Sequence, residues 1–195
     1  MLRRLYDWTL AKCGHPHAER WLASISFVEA SFFPIPPDVL LAPMCLAQPE
    51  RALRYALVCT LASVAGALLG YAIGMFLFEA VGRPILDVYG AMAKFDRLAA
   101  EFNANGAFIV FLAGFTPLPF KVITIAAGAT AMPLPVLLLA SLVSRAARFF
   151  LVAVLLWRFG APMKTLIDRH FALLTAAFGV LLVGGFAVVG WLGAR

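Results

Sequence analysis

The sequence predicts an all-α integral membrane protein: an inverted repeat of two proline-broken re-entrant helical hairpins with three transmembrane helices. Three observations carry this prediction. The 195-residue chain is 63% hydrophobic and 13% charged, with a mean hydropathy of +0.92, whereas soluble domains carry about 25% charged residues. Two apolar segments are interrupted near their middles by Pro-apolar-Pro, in FFPIPPD at 32–38 and FTPLPFK at 115–121. Finally, Glu29, Asp38, Lys121, Arg145 and Arg148 stand inside apolar stretches, where a charge is costly and marks function by default.

The elements follow in chain order. Residues 1–20 form an N-terminal cytoplasmic or interfacial segment, in which Leu2, Leu5, Tyr6 and Trp8 suit a short helix on the membrane surface. This stretch is too polar for the apolar region of a signal peptide, so no cleavable leader is expected. Residues 21–160 form the membrane core. Its first segment, 21–47, is broken by Pro34, Pro36, Pro37 and Pro43. Residues 55–78 run uninterrupted and exceed the roughly 20 residues needed to cross a bilayer. A polar connector, 79–106, follows; its part 91–103 has helical periodicity and suits the membrane surface. The second broken segment, 107–131, holds Pro117 and Pro119. Residues 134–157 can span, and 171–192 form a further C-terminal span.

The broken segments decide the topology. Pro-x-Pro removes two amide donors and pushes each preceding residue out of the helical region. Non-helical backbone at membrane depth survives only where protein or a watery cavity satisfies it. Each broken segment is therefore expected to be two short helices meeting at a tip, with Pro34, Pro36 and Pro37 at one and Pro117 and Pro119 at the other. With only 55–78, 134–157 and 171–192 spanning, Arg3, Arg4, Lys12, Arg20, Arg51, Arg54, Arg158, Lys164 and Arg169 share one side. Arg83, Lys94, Arg97 and Arg195 take the other. That bias puts the N-terminus in the cytoplasm. It does so equally if all five segments span, so the hairpins rest on the prolines alone. One span separates the hairpins, so they enter from opposite faces. Paired Pro-interrupted segments at matching positions are the sequence pointer to a transporter site.

Within this frame Arg145 and Arg148, three residues apart, share a helix face with Ser141 and Ser144. Two guanidinium groups on one polar face suit an anionic phosphate, which arginine binds bidentately, and Lys121 follows the second tip. These five residues are the candidate phosphate site. Glu29 and Asp38 are the candidate proton-coupling acids, since a buried carboxylate without a full charge partner has a raised pKa. Two plainer readings stand beside this one: Asp38 caps the returning helix, and Glu29 forms a fixed ion pair with Arg145 or Arg148.

Ala62, Gly66, Gly70 and Gly74 recur at spacing four and form a small-residue packing stripe. Gly66, Gly70 and Gly74 could serve either internal packing or a homo-oligomer. No cofactor or metal is expected: Cys13, Cys45 and Cys59 show no ligand spacing, and His15, His17 and His170 lie outside the apolar segments. With no histidine or Ser/His pair in the core, an enzyme is not expected. The net charge of +6 is dispersed, so it favours anionic lipid over nucleic acid.

The stretch from Glu29 through Pro34-Ile35-Pro36-Pro37 to Asp38 resembles the glutamate-to-proline-to-acid motif of the DedA family of bacterial membrane proteins. That family is also known as the VTT or SNARE-associated superfamily. GFTPLPFKVITIAAGATAM, 114–132, resembles its second, proline-rich and basic motif, most closely in the YqaA-like branch. The resemblance implies opposed re-entrant hairpins, a bacterial inner-membrane location, and movement of phospholipids or polyprenyl phosphates under the influence of the proton gradient. It assigns Glu29 and Asp38 as the membrane acids and Pro117–Lys121 as the basic motif. Many members carry arginine where this chain has Gly114, and a base where it has Phe120. Taken together, the residues and the resemblance imply a proton-influenced transporter or scramblase of a phosphate-bearing lipid. The alternative is a non-transporting scaffold or envelope-homeostasis protein whose charges are structural ion pairs.

Overall fold

The computed structural model describes residues 18–32, 36–116 and 118–160, and every regular element among them is helical. In chain order these are α1 (Ala18–Ser31), α2 (Asp38–Ala47), a 3₁₀ turn (Pro49–Arg51) and α3 (Ala52–Leu77). A π-helical turn (Phe78–Gly82), α4 (Arg83–Val88), α5 (Met92–Ala104), α6 (Gly106–Phe115) and α7 (Phe120–Ala129) follow. α8 (Leu134–Gly160) completes the described chain.

Both broken segments are pairs of short helices, as the prolines require. α1 has 14 residues, and α2, α6 and α7 have 10 each. At about 1.5 Å per residue none of them crosses a hydrocarbon core about 30 Å thick. One detail differs from expectation. Pro43 does not break the first segment, because α2 runs through it and buries it. Pro36 and Pro37 lie at the break and at the N-cap of α2, and Pro119 is the N-cap of α7. Pro34 and Pro117 lie outside the described residues, as do residues 1–17 and the expected C-terminal span 171–192.

Two helices are long and apolar enough to span: the continuous run Pro49–Val88 and Leu134–Gly160. A third candidate is α5 with α6, a pair bent by 70°. The first run is longer than the 55–78 read from sequence, and it enters the expected connector. Gly82-Arg83-Pro84 looks like a terminator, yet the helix absorbs it by changing register. The Arg83 amide donates to the carbonyl of Phe78, five residues back, and this π turn leaves the donor-less Pro84 at the start of α4. The chain then turns at Gly90, with φ at 61°, into the amphipathic α5.

Among the described residues, many large apolar side chains lie on the outside while a set of polar ones lies within. Leu53, Leu57, Leu61 and Leu68 on α3, and Leu139, Leu142, Val143 and Leu151 on α8, are exposed. Ser26, Ser31, Thr60, Ser63, Thr124, Ser141, Ser144 and Arg145 are buried. This arrangement suits lipid outside. The small-residue stripe is filled from within the same chain. A Cβ at Gly66 would strike the Phe27 carbonyl of α1, and one at Gly74 would strike the Ile125 carbonyl of α7. A Cβ at Gly70 would meet the Thr124 hydroxyl. α1 and α7 thus lie backbone-close on α3, and a homo-oligomer would need another face. Ser31 and Thr124 secure the contact: the Ser31 hydroxyl donates to the Gly66 carbonyl at 3.0 Å and Thr124 to the Ala30 carbonyl at 3.2 Å.

Two apolar clusters form the core. One joins Leu22, Leu41, Tyr55, Cys59, Phe149 and Leu156, from α1, α2, α3 and the second half of α8. The other joins Ala30, Ala67, Val110, Phe120 and Leu137, from α1, α3, α6, α7 and the first half of α8. α8 belongs to both, and its Arg145 sits where the clusters meet, over Phe120 of one and Phe149 of the other.

A paired arginine site between two proline breaks

α8 carries Arg145 and Arg148 inward, and each meets an acid from the first broken segment. Arg145 Nη2 lies 2.5 Å from Glu29 Oε2, near the end of α1. Its Nε donates to the Ser63 hydroxyl of α3 at 2.6 Å. Its guanidinium carbon lies 4.8 Å from the ring centres of both Phe120 and Phe149, one ring from each cluster. Burial has removed water from this charge, since the side chain is 3% exposed and that of Glu29 14%. A carboxylate, a hydroxyl and two aromatic faces take its place.

The second pair is more open. Arg148 Nη2 lies 2.5 Å from Asp38 Oδ2, with side chains 16% and 27% exposed. Arg148 Nη1 donates to the Thr116 carbonyl at 2.7 Å. Thr116 is the last described residue before Pro117, where α6 has ended and the amide ladder no longer needs that carbonyl. One guanidinium thus holds the break of the first segment through Asp38 and the break of the second through Thr116. Asp38 is the first residue of α2, after the N-cap Pro37, and its Oδ2 is taken by the ion pair with Arg148. Its Oδ1 is buried without a hydrogen-bond partner.

The remaining candidates are placed as follows. Ser141 is buried, one turn before Arg145, and its hydroxyl has no partner. The Ser144 hydroxyl donates to the Ser141 carbonyl at 3.2 Å and abuts Gly114. Lys121 is half-buried in the first turn of α7. The structure therefore brings Glu29, Asp38, Arg145 and Arg148 together as two pairs, rather than as two bare guanidinium groups. Among the described residues no three His, Cys, Asp or Glu side chains gather as a metal site.

Sequence reasoning missed Ser63, Thr116, Phe120 and Phe149. Ser63 could have been found, since it lies three residues before Gly66 and so beside the stripe on the buried side of α3. Phe149 lies four residues after Arg145, on the same helix face. The Thr116 carbonyl carries no sequence signal. The positions that depart from the family motif now have a structural account. Phe120 offers its ring to Arg145, and Gly114 leaves no room for any side chain beside Ser144.

Fold and site define a helical membrane protein in which arginines of α8 pair with two acids of one proline-broken segment, and one of them, Arg148, also holds the Thr116 carbonyl of the other. The chain belongs to the VTT domain family, also called DedA, whose pattern matches residues 35–158. It is similar to an uncharacterized protein of Haemophilus influenzae, at 40% identity over 84% of this chain and 87% of the relative. It is also similar to one of Histophilus somni, at 38% identity with the same coverage. No solved structure matches it. The family is linked in general to membrane transport and is not an enzyme family.

Proposed function

We propose that the protein moves a phosphate-bearing lipid, a phospholipid or polyprenyl phosphate, across the bacterial inner membrane, with its N-terminus in the cytoplasm. The observation that carries this reading is the double hold of Arg148 on Asp38 and on the Thr116 carbonyl. A lipid phosphate offers arginine the same bidentate geometry as a carboxylate, so it can take Arg148 from Asp38. Two unit charges 4 Å apart attract by about 4 kcal/mol at an effective dielectric of 20. A phosphate oxygen restores that attraction, so the exchange costs little. Opening Arg145 costs more, because its pair is the drier one. Lys121 supplies a further positive charge near the second break, with Ser141 and Ser144 on the same face of α8. Protonation of Asp38 cancels its charge and loosens the hold on Arg148, so acid favours the open site. Glu29 plays the same part for Arg145. The two broken segments act as opposed re-entrant hairpins that part as the pairs exchange.

The test is reconstitution into liposomes with fluorescent phospholipid or polyprenyl phosphate in one leaflet. Wild type should equilibrate the leaflets. Arg148→Ala should slow this by about tenfold or more, the kinetic equivalent of 1.4 kcal/mol. Asp38→Asn should remove any acceleration by acid. Wild type and Glu29→Gln rates equal to those of empty liposomes would refute the reading.

A second reading, a scaffold with structural ion pairs, is favoured by the completeness of the Glu29–Arg145 pair. It expects Glu29→Leu/Arg145→Met to fold and to sustain normal envelope function in cells, since well-packed apolar residues can replace a buried pair. The transport reading expects that double variant to fold and to be inactive.

A further inference from the structure

A recess lies far along α3 from the arginine pairs. It is a cleft of about 360 Å³ between the π turn, α5 and the end of α7. Phe78 and Phe95 stack at 4.5 Å between centroids and form its aromatic wall. Glu79, Arg83 and Asp96 bring charge to it, and Met75 and Met92 bring apolar surface. Asn103 and Thr130 close one end: the Asn103 amide donates to the Thr130 carbonyl at 2.8 Å, and the Thr130 hydroxyl donates to Asn103 Oδ1 at 3.2 Å.

The sequence sets the depth of this cleft. Residues 55–78 carry no charge, and as helix they measure about 36 Å at 1.5 Å per residue. They cross a hydrocarbon layer about 30 Å thick, and Glu79 is the first charge beyond it. The cleft thus opens at head-group level, beside exposed Phe76, Leu77 and Val81.

Its charges are two acids and one base against an aromatic wall. We propose that this cleft binds the head group of a zwitterionic phospholipid bearing a primary ammonium, with Arg83 on the phosphate and Glu79 and Asp96 on the ammonium. Arg83 Nη2 is now 3.1 Å from Glu79 Oε1, with both side chains more than half exposed at 52% and 54%. Such a pair is easily opened. A zwitterion inserts into it and exchanges one ion pair for two. The ammonium then lies against the Phe78 and Phe95 rings, where cations are attracted. The acyl chains leave along Met75 and Phe76 into lipid. Phosphatidylglycerol lacks the ammonium and leaves Glu79 and Asp96 facing its phosphate. The assignment depends on the membrane placement alone and stands independently of the transport reading.

Native mass spectrometry of the full chain in detergent, with equal added phosphatidylethanolamine and phosphatidylglycerol, tests it. Wild type should retain phosphatidylethanolamine in preference. Asp96→Asn and Glu79→Gln, both on the surface, should each lower that retention about fivefold, as loss of one half-exposed charge contact implies, and leave folding intact. Equal retention of the two lipids, or unchanged retention in both variants, would overturn the proposal. Displacement of the lipid by soluble phosphoethanolamine would move the site to a soluble ligand and overturn the lipid assignment.

Discussion

Removing one partner from the inner ion pair should be worse than removing both. In Glu29→Leu, Arg145 stays at 3% exposure with no carboxylate. It keeps the Ser63 hydroxyl and two ring faces at 4.8 Å, but an uncompensated buried charge costs about 3–5 kcal/mol. The two cation–π contacts, each worth about 0.5–2 kcal/mol, are already present in the native protein and recover none of this. Arg145→Met leaves Glu29 unpaired. At 14% exposure the carboxyl stays closer to water than Arg145 does, so the cost should be smaller, about 2–3 kcal/mol. In Glu29→Leu/Arg145→Met two apolar side chains of similar volume meet between Phe120 and Phe149, and stability should return to within about 1 kcal/mol of wild type. Reversible unfolding in mixed micelles with increasing dodecyl sulfate, followed by tryptophan fluorescence, gives all four corners of the cycle. If the double variant loses the sum of the single losses, the two residues are not coupled and the paired-site description fails.

Two further outcomes follow from backbone and packing. Gly114→Ala places a Cβ 2.8 Å from the Ser144 Cβ and should cost about 1–3 kcal/mol. Adding Ser144→Gly should recover most of that loss, and a melt showing no recovery would break the link between α6 and α8. Ala131 holds a left-handed φ of 50° just past α7. The Met132 amide there reaches the Ala127 carbonyl at 2.9 Å and the Ala131 amide the Gly128 carbonyl at 3.2 Å. Glycine is the usual residue in this Schellman arrangement, so Ala131→Gly should raise stability by about 0.5–1 kcal/mol; a lower melting temperature would contradict the geometry.

What could be read from the sequence was set by chemistry that acts locally. Closely spaced prolines, Pro36 with Pro37 and Pro117 with Pro119, oppose a continuous helix, so the two breaks were visible. Pro43, alone and after the first turn of α2, is tolerated as a buried residue within the helix. The continuation of the helix beyond the first span was not legible, because Gly82-Arg83-Pro84 resembles a stop and a change to π register leaves no trace in residue type. Glu29 was legible as a residue needing a partner, but the choice of Arg145 over Arg148 depends on how α1 and α8 are rotated against each other. That rotation comes from contacts such as Gly66 against the Phe27 carbonyl, which join residues far apart in sequence. The stripe of glycines was visible as a packing face; its partners, α1 and α7, were not.

Arg148 has one guanidinium and, among its contacts, two tenants on opposite proline breaks. Energetic linkage between them is a matter of equilibrium, independent of route. Whatever factor a ligand at Asp38 applies to the strength of the Thr116 contact, a change at Thr116 applies the same factor to that ligand's affinity. Both contacts draw on the same guanidinium. It can only be reapportioned, and news of an event at one break reaches the other without any helix having to move first.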